Sequence, residues 1–198
     1  GGNYTGSLTK TFKVKQKKMK NLTVSGLSDQ VYTGKALKPS FTLKAGSTKL
    51  KNKTDYTITG YSSNKNPGIG KIKVKAKNKN YTGTATLTFK IIVTKTKDVT
   101  ATVKSGNRLK LTTSKKTSSG KIDGYQIQYR VKGNSAWHKT TVKSTKKLNK
   151  TFKGLKAGKQ YEVRVRAYNK IKKSGEMGKY TETVYGAFRS EERRVGKE

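Results

Sequence analysis

A dozen residues of this chain occur twice. NYTGSLTKTFKV at residues 3–14 returns at residues 80–91 as NYTGTATLTFKI, 77 positions later and identical at 8 of 12 places. Self-similarity at a fixed offset of that size marks a tandem array of small domains. The chain therefore reads as the last strand of one repeat with its linker (residues 1–18), one whole copy (19–93), and then a different module (94–188). On this reading it is a slice of a longer protein, its modules monomeric within that longer chain.

Period-two patterning runs through both modules, and helical periodicity is almost absent. Between residues 71 and 79 every odd position is Lys, while Ile72, Val74 and Ala76 take alternate even ones. One face of a strand is then apolar and the other cationic. In the second repeat copy Ala85, Leu87, Phe89 and Ile91 alternate in the same way with Thr84, Thr86, Thr88 and Lys90. Gly, Asn and Ser interrupt such runs at short intervals, as in SSNKNPG at residues 62–68. Many short strands between turn signals predict an all-β fold of small sandwiches or barrels in tandem. A module of roughly 75 residues buries only about 60% of its unfolded surface, so each gains from neighbours.

Within the whole copy, YTGKALKP (32–39), TDYTITGYSSNKNPG (54–68) and NYTGTATLTFKI (80–91) follow one another in an order that resembles a bacterial immunoglobulin-like repeat found in tandem on Firmicutes surface proteins. The resemblance implies an immunoglobulin-like β-sandwich, the first of two small ones in tandem, used as a spacer or adhesive module on a secreted or cell-wall-associated, extracellular protein. One departure is Lys10, which stands in the first copy where the second has Leu87.

From about Thr94 the pattern changes. Strand-like runs follow at 99–103, 109–113, 122–131, 137–142, 148–152, 161–168 and 180–185, a count that suits an immunoglobulin-like sandwich. GLKAGKQYEVRVRAYN (154–169) resembles the E–F corner and F strand of a fibronectin type III domain, and GYQIQYR (124–130) its C strand. Leu155 and Tyr161 have the spacing of that family's tyrosine corner, whose hydroxyl ties back to upstream backbone. Thr113 stands where the family often has a core tryptophan, which leaves a smaller core with volume for Trp137 to fill from the next strand.

RSEERRVGKE (189–198) holds 3 of the 7 arginines and 3 of the 6 glutamates. It resembles the in-frame translation of a sequencing-library adapter. Residues 189–198 therefore read as a non-native tail, set outside the fold.

Catalytic material is sparse. The one histidine, His138, follows Trp137 on an expected strand and reads as a surface residue, since a general base also needs a positioned partner. The four aspartates are scattered without carboxylate-pair or calcium-loop spacing, and Asp55 and Asp123 read as Asx-turn residues. GIGK (68–71) and GEMGK (175–179) lack Walker spacing and read as turns. With no cysteine there is neither a disulfide framework nor a thiolate site. No metal, cofactor or catalytic residue is expected, and no apolar run approaches the length of a membrane span.

What remains is charge. Lys and Arg number 47 against 10 acidic residues, for a net +37, and 40 of the 47 are lysine. Lysine attracts polyanions without the planar geometry that reads phosphate or guanine, which argues against specific nucleic-acid recognition. Lys71, Lys73, Lys75, Lys77 and Lys79, at ~6.8 Å steps, are expected to make a cationic row of roughly 27 Å suited to anionic wall or host glycans. Neighbouring lysines repel by about 0.6 kcal/mol before screening, so a merely solvated face also explains the row. A second candidate face lies on the fibronectin-like module. Tyr125, Ile127, Tyr129, Val131, Tyr161, Val163 and Val165 have the phase of core residues. Gln126, Gln128, Arg130, Arg164, Arg166 and Tyr168 then point outward as a patch for a protein or sugar partner, unless Glu162 pairs across the strands with an arginine. The expected function is a non-catalytic structural and adhesive spacer that holds anionic polymers diffusely. The rival readings are an accessory carbohydrate- or host-protein-binding module and nonspecific nucleic-acid binding.

Overall fold

The protein's structure, a computed structural model, describes residues 2, 6–113, 122–172, 180–185 and 188–196. The start of the first repeat copy (3–5) and the GEMGK turn lie outside these residues. Among the described residues seventeen strands run in chain order: β1 Lys17–Lys18, β2 Thr23–Ser25, β3 Gln30–Val31, β4 Thr42–Ala45, β5 Thr48–Lys49, β6 Tyr56–Ser62, β7 Gly68–Ala76, β8 Tyr81–Thr82, β9 Thr84–Ile92, β10 Val99–Lys104, β11 Arg108–Thr113, β12 Gly124–Val131, β13 His138–Lys143, β14 Asn149–Phe152, β15 Gln160–Lys172, β16 Tyr180–Tyr185 and β17 Arg189–Arg194, with a 3-10 turn at Met19–Asn21. The architecture is tandem all-β sandwiches.

In the first module β2, β4 and β5 form one sheet, β3-β9-β7-β6 another, and β1 pairs with β8. The period-two pattern of β7 and β9 translates directly into burial. Ile72, Val74, Leu87, Phe89 and Ile91 are buried, while Lys71, Lys73, Lys75, Thr84, Thr86, Thr88 and Lys90 are exposed. Gly70 is part of that packing, because a Cβ there would lie 2.4 Å from the Phe89 ring. Only a residue without a side chain lets the ring lie on the strand.

In the second module the sheets are β10-β11-β14 and β13-β12-β15-β16. The first contributes Val99, Ala101, Leu109 and Leu111 to a shared core, and the second contributes Tyr125, Ile127, Val163, Val165, Ala167 and Val184. Each buried aliphatic side chain of this kind is worth about 1.5–3 kcal/mol. Thr113 is buried and solves its polarity locally, its hydroxyl accepting the Leu148 amide at 3.0 Å.

Residues 6–16, expected to be the last strand of a preceding repeat, form no strand with the residues described. Two expectations are corrected here. Residues 189–194 do not stand outside the fold but form β17. β15 runs 13 residues and pairs with β16 only from Tyr168 onward, which leaves 160–165 open to pair with β17, Val165 opposite Arg189 through Gln160 opposite Arg194. The alternation then carries Val195 into the core at 0% exposure. Trp137 is not a core residue; its ring stacks on the guanidinium groups of Arg130 and Arg164.

Contacts group Gly1–Ser25, Phe41–Gly60 and Ile72–Leu87 into one compact unit, and Gly26–Ser40, Tyr61–Lys71 and Thr88–Glu198 into another. Inside the second, the buried Asn169 amide donates to the Pro67 carbonyl at 3.1 Å, and the Thr96 hydroxyl accepts the Ala167 amide at 3.0 Å.

Candidate functional site

The arginines of the second module owe their place to strand register. β12 and β15 run antiparallel with Gln126 opposite Arg166, Gln128 opposite Arg164 and Arg130 opposite Glu162. Directly opposed residues on one face are within reach of each other, and all three pairs are joined. Arg166 Nε donates to Gln126 Oε1 at 3.0 Å, Arg164 Nε to Gln128 Oε1 at 2.8 Å, and Arg130 Nε to Glu162 Oε2 at 2.5 Å.

Aromatic rings fill the spaces between the guanidinium planes. Trp137, just ahead of β13, lies 4.4 Å from Arg130 and 4.2 Å from Arg164. Phe188, just ahead of β17, lies 4.5 Å from Arg164 and 4.4 Å from Arg166. Tyr185, at the end of β16, closes the row 3.8 Å from Arg166. The order is thus Arg130, Trp137, Arg164, Phe188, Arg166, Tyr185: a ladder in which cation and ring alternate. Such pairings are worth about 0.5–2 kcal/mol each, more as they are desolvated. Burial pushes the Arg166 pKa below the ordinary arginine value, with the Tyr185 phenol opposing the drop and the Arg164 charge adding to it; a guanidinium stays protonated regardless.

Two members of the expected outward patch are not exposed. Gln126 is 4% exposed and Tyr168 4%, although both have the outward phase. Gln126 lies under Arg166 and donates its amide to the Tyr185 hydroxyl at 3.4 Å. Tyr168 is covered because its cross-strand partner is Gly124. A Cβ on Gly124 would meet the Tyr168 hydroxyl at 2.8 Å, so the tyrosine lies down over the glycine, with Tyr185 6.1 Å away on its other side. Burial, then the neighbouring Asp123 carboxylate, then Tyr185 raise the Tyr168 pKa. Gln128, Arg130, Arg164 and Arg166 are half-buried, with the Nε of each arginine and the Oε1 of Gln128 engaged in the ladder. Trp137 sits in this ladder rather than in the core, because its ring stands on the arginine side of β12. Tyr185 and Phe188 escaped the sequence reading; their signal was an aromatic residue at each end of the connection that returns to β15.

The tyrosine corner pair is buried, and the Tyr161 hydroxyl accepts the Lys156 backbone amide at 3.0 Å. His138 is exposed and stacks on Tyr129, with centroids 5.2 Å apart. Asp55 and Asp123 bind backbone amides, though not in Asx turns of their own. Asp55 takes Lys51 N at 2.7 Å, and Asp123 takes Lys170 N at 2.7 Å. No cluster of three or more potential metal ligands occurs among the described residues, and none of their helices is long and apolar enough to cross a membrane.

The lysine row is broken partway. Lys71, Lys73 and Lys75 stand on β7, but the strand ends at Ala76, and Lys77 and Lys79 belong to the turn that follows. Asn78 makes that turn: its amide donates to Asp55 Oδ1 at 2.6 Å, and its own Oδ1 accepts the Asn80 amide at 3.0 Å. All five lysines remain exposed, with three in a line and two around a corner.

Among curated protein sequences nothing matches the chain. Among solved structures, a two-domain fibronectin type III segment from chicken tenascin superposes with a TM-score of 0.51 at 14% identity, over 89% of this chain and 98% of that one. The FN1-FN3 domains of chicken CNTN1 give a TM-score of 0.44 at 21% identity, and this chain covers 44% of their length, with 67% of its own residues matched. Residues 94–184 match the fibronectin type III family. Such domains are generally non-catalytic structural or adhesive modules, and this chain carries one at residues 94–184.

Proposed function

We propose that this chain is a non-catalytic spacer and adhesive segment of a secreted or wall-associated bacterial surface protein, and that it holds anionic polymers by diffuse electrostatics. The observation that carries the reading is the division of labour among its cations. The directional ones, Arg130, Arg164 and Arg166, are engaged within the fibronectin type III domain. Lys71, Lys73, Lys75, Lys77 and Lys79 stand exposed in a chain of net charge +37. Exposed ammonium groups without a shaped pocket attract any polyanion and select none. The ladder also weighs against a carbohydrate- or host-protein-binding patch at Arg164 and Arg166, because rings already stack on their guanidinium faces and glutamines already hold their Nε groups.

Wall teichoic acid, heparin and duplex DNA provide the test. All three should bind at low salt and be lost together as salt rises, with log affinity falling linearly against log salt. Saturable binding to one of them that survives high salt, and that falls in Arg164→Ala, would replace this reading with a specific site.

A further inference from the structure

Residues 6–14 have the alternation of a closing strand without a sheet to close. Leu8 is 90% exposed, Phe12 86% and Val14 77%. With Lys10 they occupy one side of an extended segment, and Thr9, Thr11 and Lys13 occupy the other. Their counterparts one repeat later are not exposed. Phe89, matching Phe12, and Ile91, matching Val14, are 4% and 0% exposed. β9 achieves this by lying between β3 and β7, with Gln30 opposite Ile91 and the Phe89 ring resting on Gly70. The outward residues correspond too: Thr9, Thr11 and Lys13 match the exposed Thr86, Thr88 and Lys90.

We infer that residues 6–14 are a docking strand whose partner is a second copy of the sandwich built by residues 19–79, with the place of β9 open. The recognition is β-strand addition: main-chain hydrogen bonds supply affinity and alternate side-chain pockets supply register. The pocket for Phe12 is the space over the copy's own Gly70, which no residue with a side chain could leave vacant. Two inward positions differ from β9, Leu8 for Ala85 and Lys10 for Leu87. One large apolar side chain has thus moved two residues toward the start of the strand, and Lys10 must carry its ammonium out along the sheet to water. The segment is therefore a closing strand of the same design with a shifted apolar load, and it should compete poorly with β9 for the module that β9 already closes.

The test places an extra copy of residues 19–79 directly ahead of Asn3 in the full chain, so that its Lys79 runs into Asn3 as Lys79 runs into Asn80. The extra copy should fold, adding a cooperative unfolding transition, and amide exchange at residues 8–14 should slow by about two orders of magnitude, as in other core strands. Phe12→Asp should abolish both changes in the extended chain while leaving the unextended chain as stable as before. A control carries residues 80–91 in place of 3–14. If the control folds and the native segment does not, the inference fails. It fails equally if neither closes the copy, or if Phe12→Asp has no effect.

Discussion

On β7, Lys71, Lys73 and Lys75 leave the sheet at alternate positions and stand exposed; on β15, Arg164 and Arg166 leave it with the same spacing and are half-buried. The period and the sign of charge are shared, and the outcomes differ because of what lies alongside. The exposed side of β9 next to β7 offers Thr84, Thr86, Thr88 and Lys90, with neither a carboxylate nor an aromatic ring among them. β12 offers Gln126 and Gln128 directly opposite the arginines, and Trp137, Phe188 and Tyr185 supply ring faces. A guanidinium suits this setting because it is planar, weakly hydrated and able to stack while it donates in plane; an ammonium does none of these. One face is therefore a structural element and the other is free charge.

The largest effect should come from removing a rung. Arg166→Ala takes the cation away from the Tyr185 and Phe188 rings and leaves the buried Gln126 carbonyl without its donor, an expected loss of about 3 kcal/mol. Urea unfolding followed by the emission of Trp137, the chain's single tryptophan, measures it. Arg166→Lys keeps the charge and should still lose about 2 kcal/mol, since stacking and in-plane donation go. If the lysine variant matched the parent, charge alone would explain the ladder and the contrast with β7 would collapse. Trp137→Ala should be milder, about 1–2 kcal/mol for two half-exposed cation–ring pairings, read by circular dichroism because the fluorophore is gone.

The core of both modules was legible because alternation is a strong signal when one face is wet. Ile72, Val74, Phe89, Tyr125 and Val165 follow from phase alone. Phase does not report burial from the side, and there the reading of single strands stopped. Gln126 and Tyr168 have outward phase but are covered, one by the arginine opposite and the other because Gly124 leaves it room to lie down. Both facts depend on inter-strand register, which one sequence does not specify. Trp137 shows the same limit: its size suggested core volume, while its neighbours across the sheet made it a rung. The lysine row failed at Asn78 for a local reason, a side chain that turns the backbone instead of extending it.

Replacing Lys71, Lys73 and Lys75 together with Thr sharpens the other side of the comparison. Threonine suits an exposed strand position, so stability should stay within about 0.5 kcal/mol of the parent. The slope of log affinity against log salt for duplex DNA should shrink by as much as ~2.7, about 0.9 for each phosphate that a lysine no longer neutralises. A fall in stability with no change in slope would invert the assignment, making β7 the structural face.

The smallest effect concerns the covered tyrosine beside the ladder. Because burial, Asp123 and Tyr185 raise the Tyr168 pKa, the folded domain holds the phenol proton more tightly than the unfolded chain does. The resulting stabilisation is complete below the ordinary tyrosine value of about 10. It is lost as pH rises through that value toward the folded one, since in this window the folded state binds more protons and stability falls with pH. Tyr168→Phe removes the titrating group and keeps the ring over Gly124. The variant should thus lose less stability than the parent between neutral pH and pH values above 10, and the difference between the two unfolding curves subtracts the titration common to both, including that of the lysines. Parallel curves would show that the phenol is as free to ionise as one in solvent, and that its cover over Gly124 is too loose to belong to the ladder's packed face.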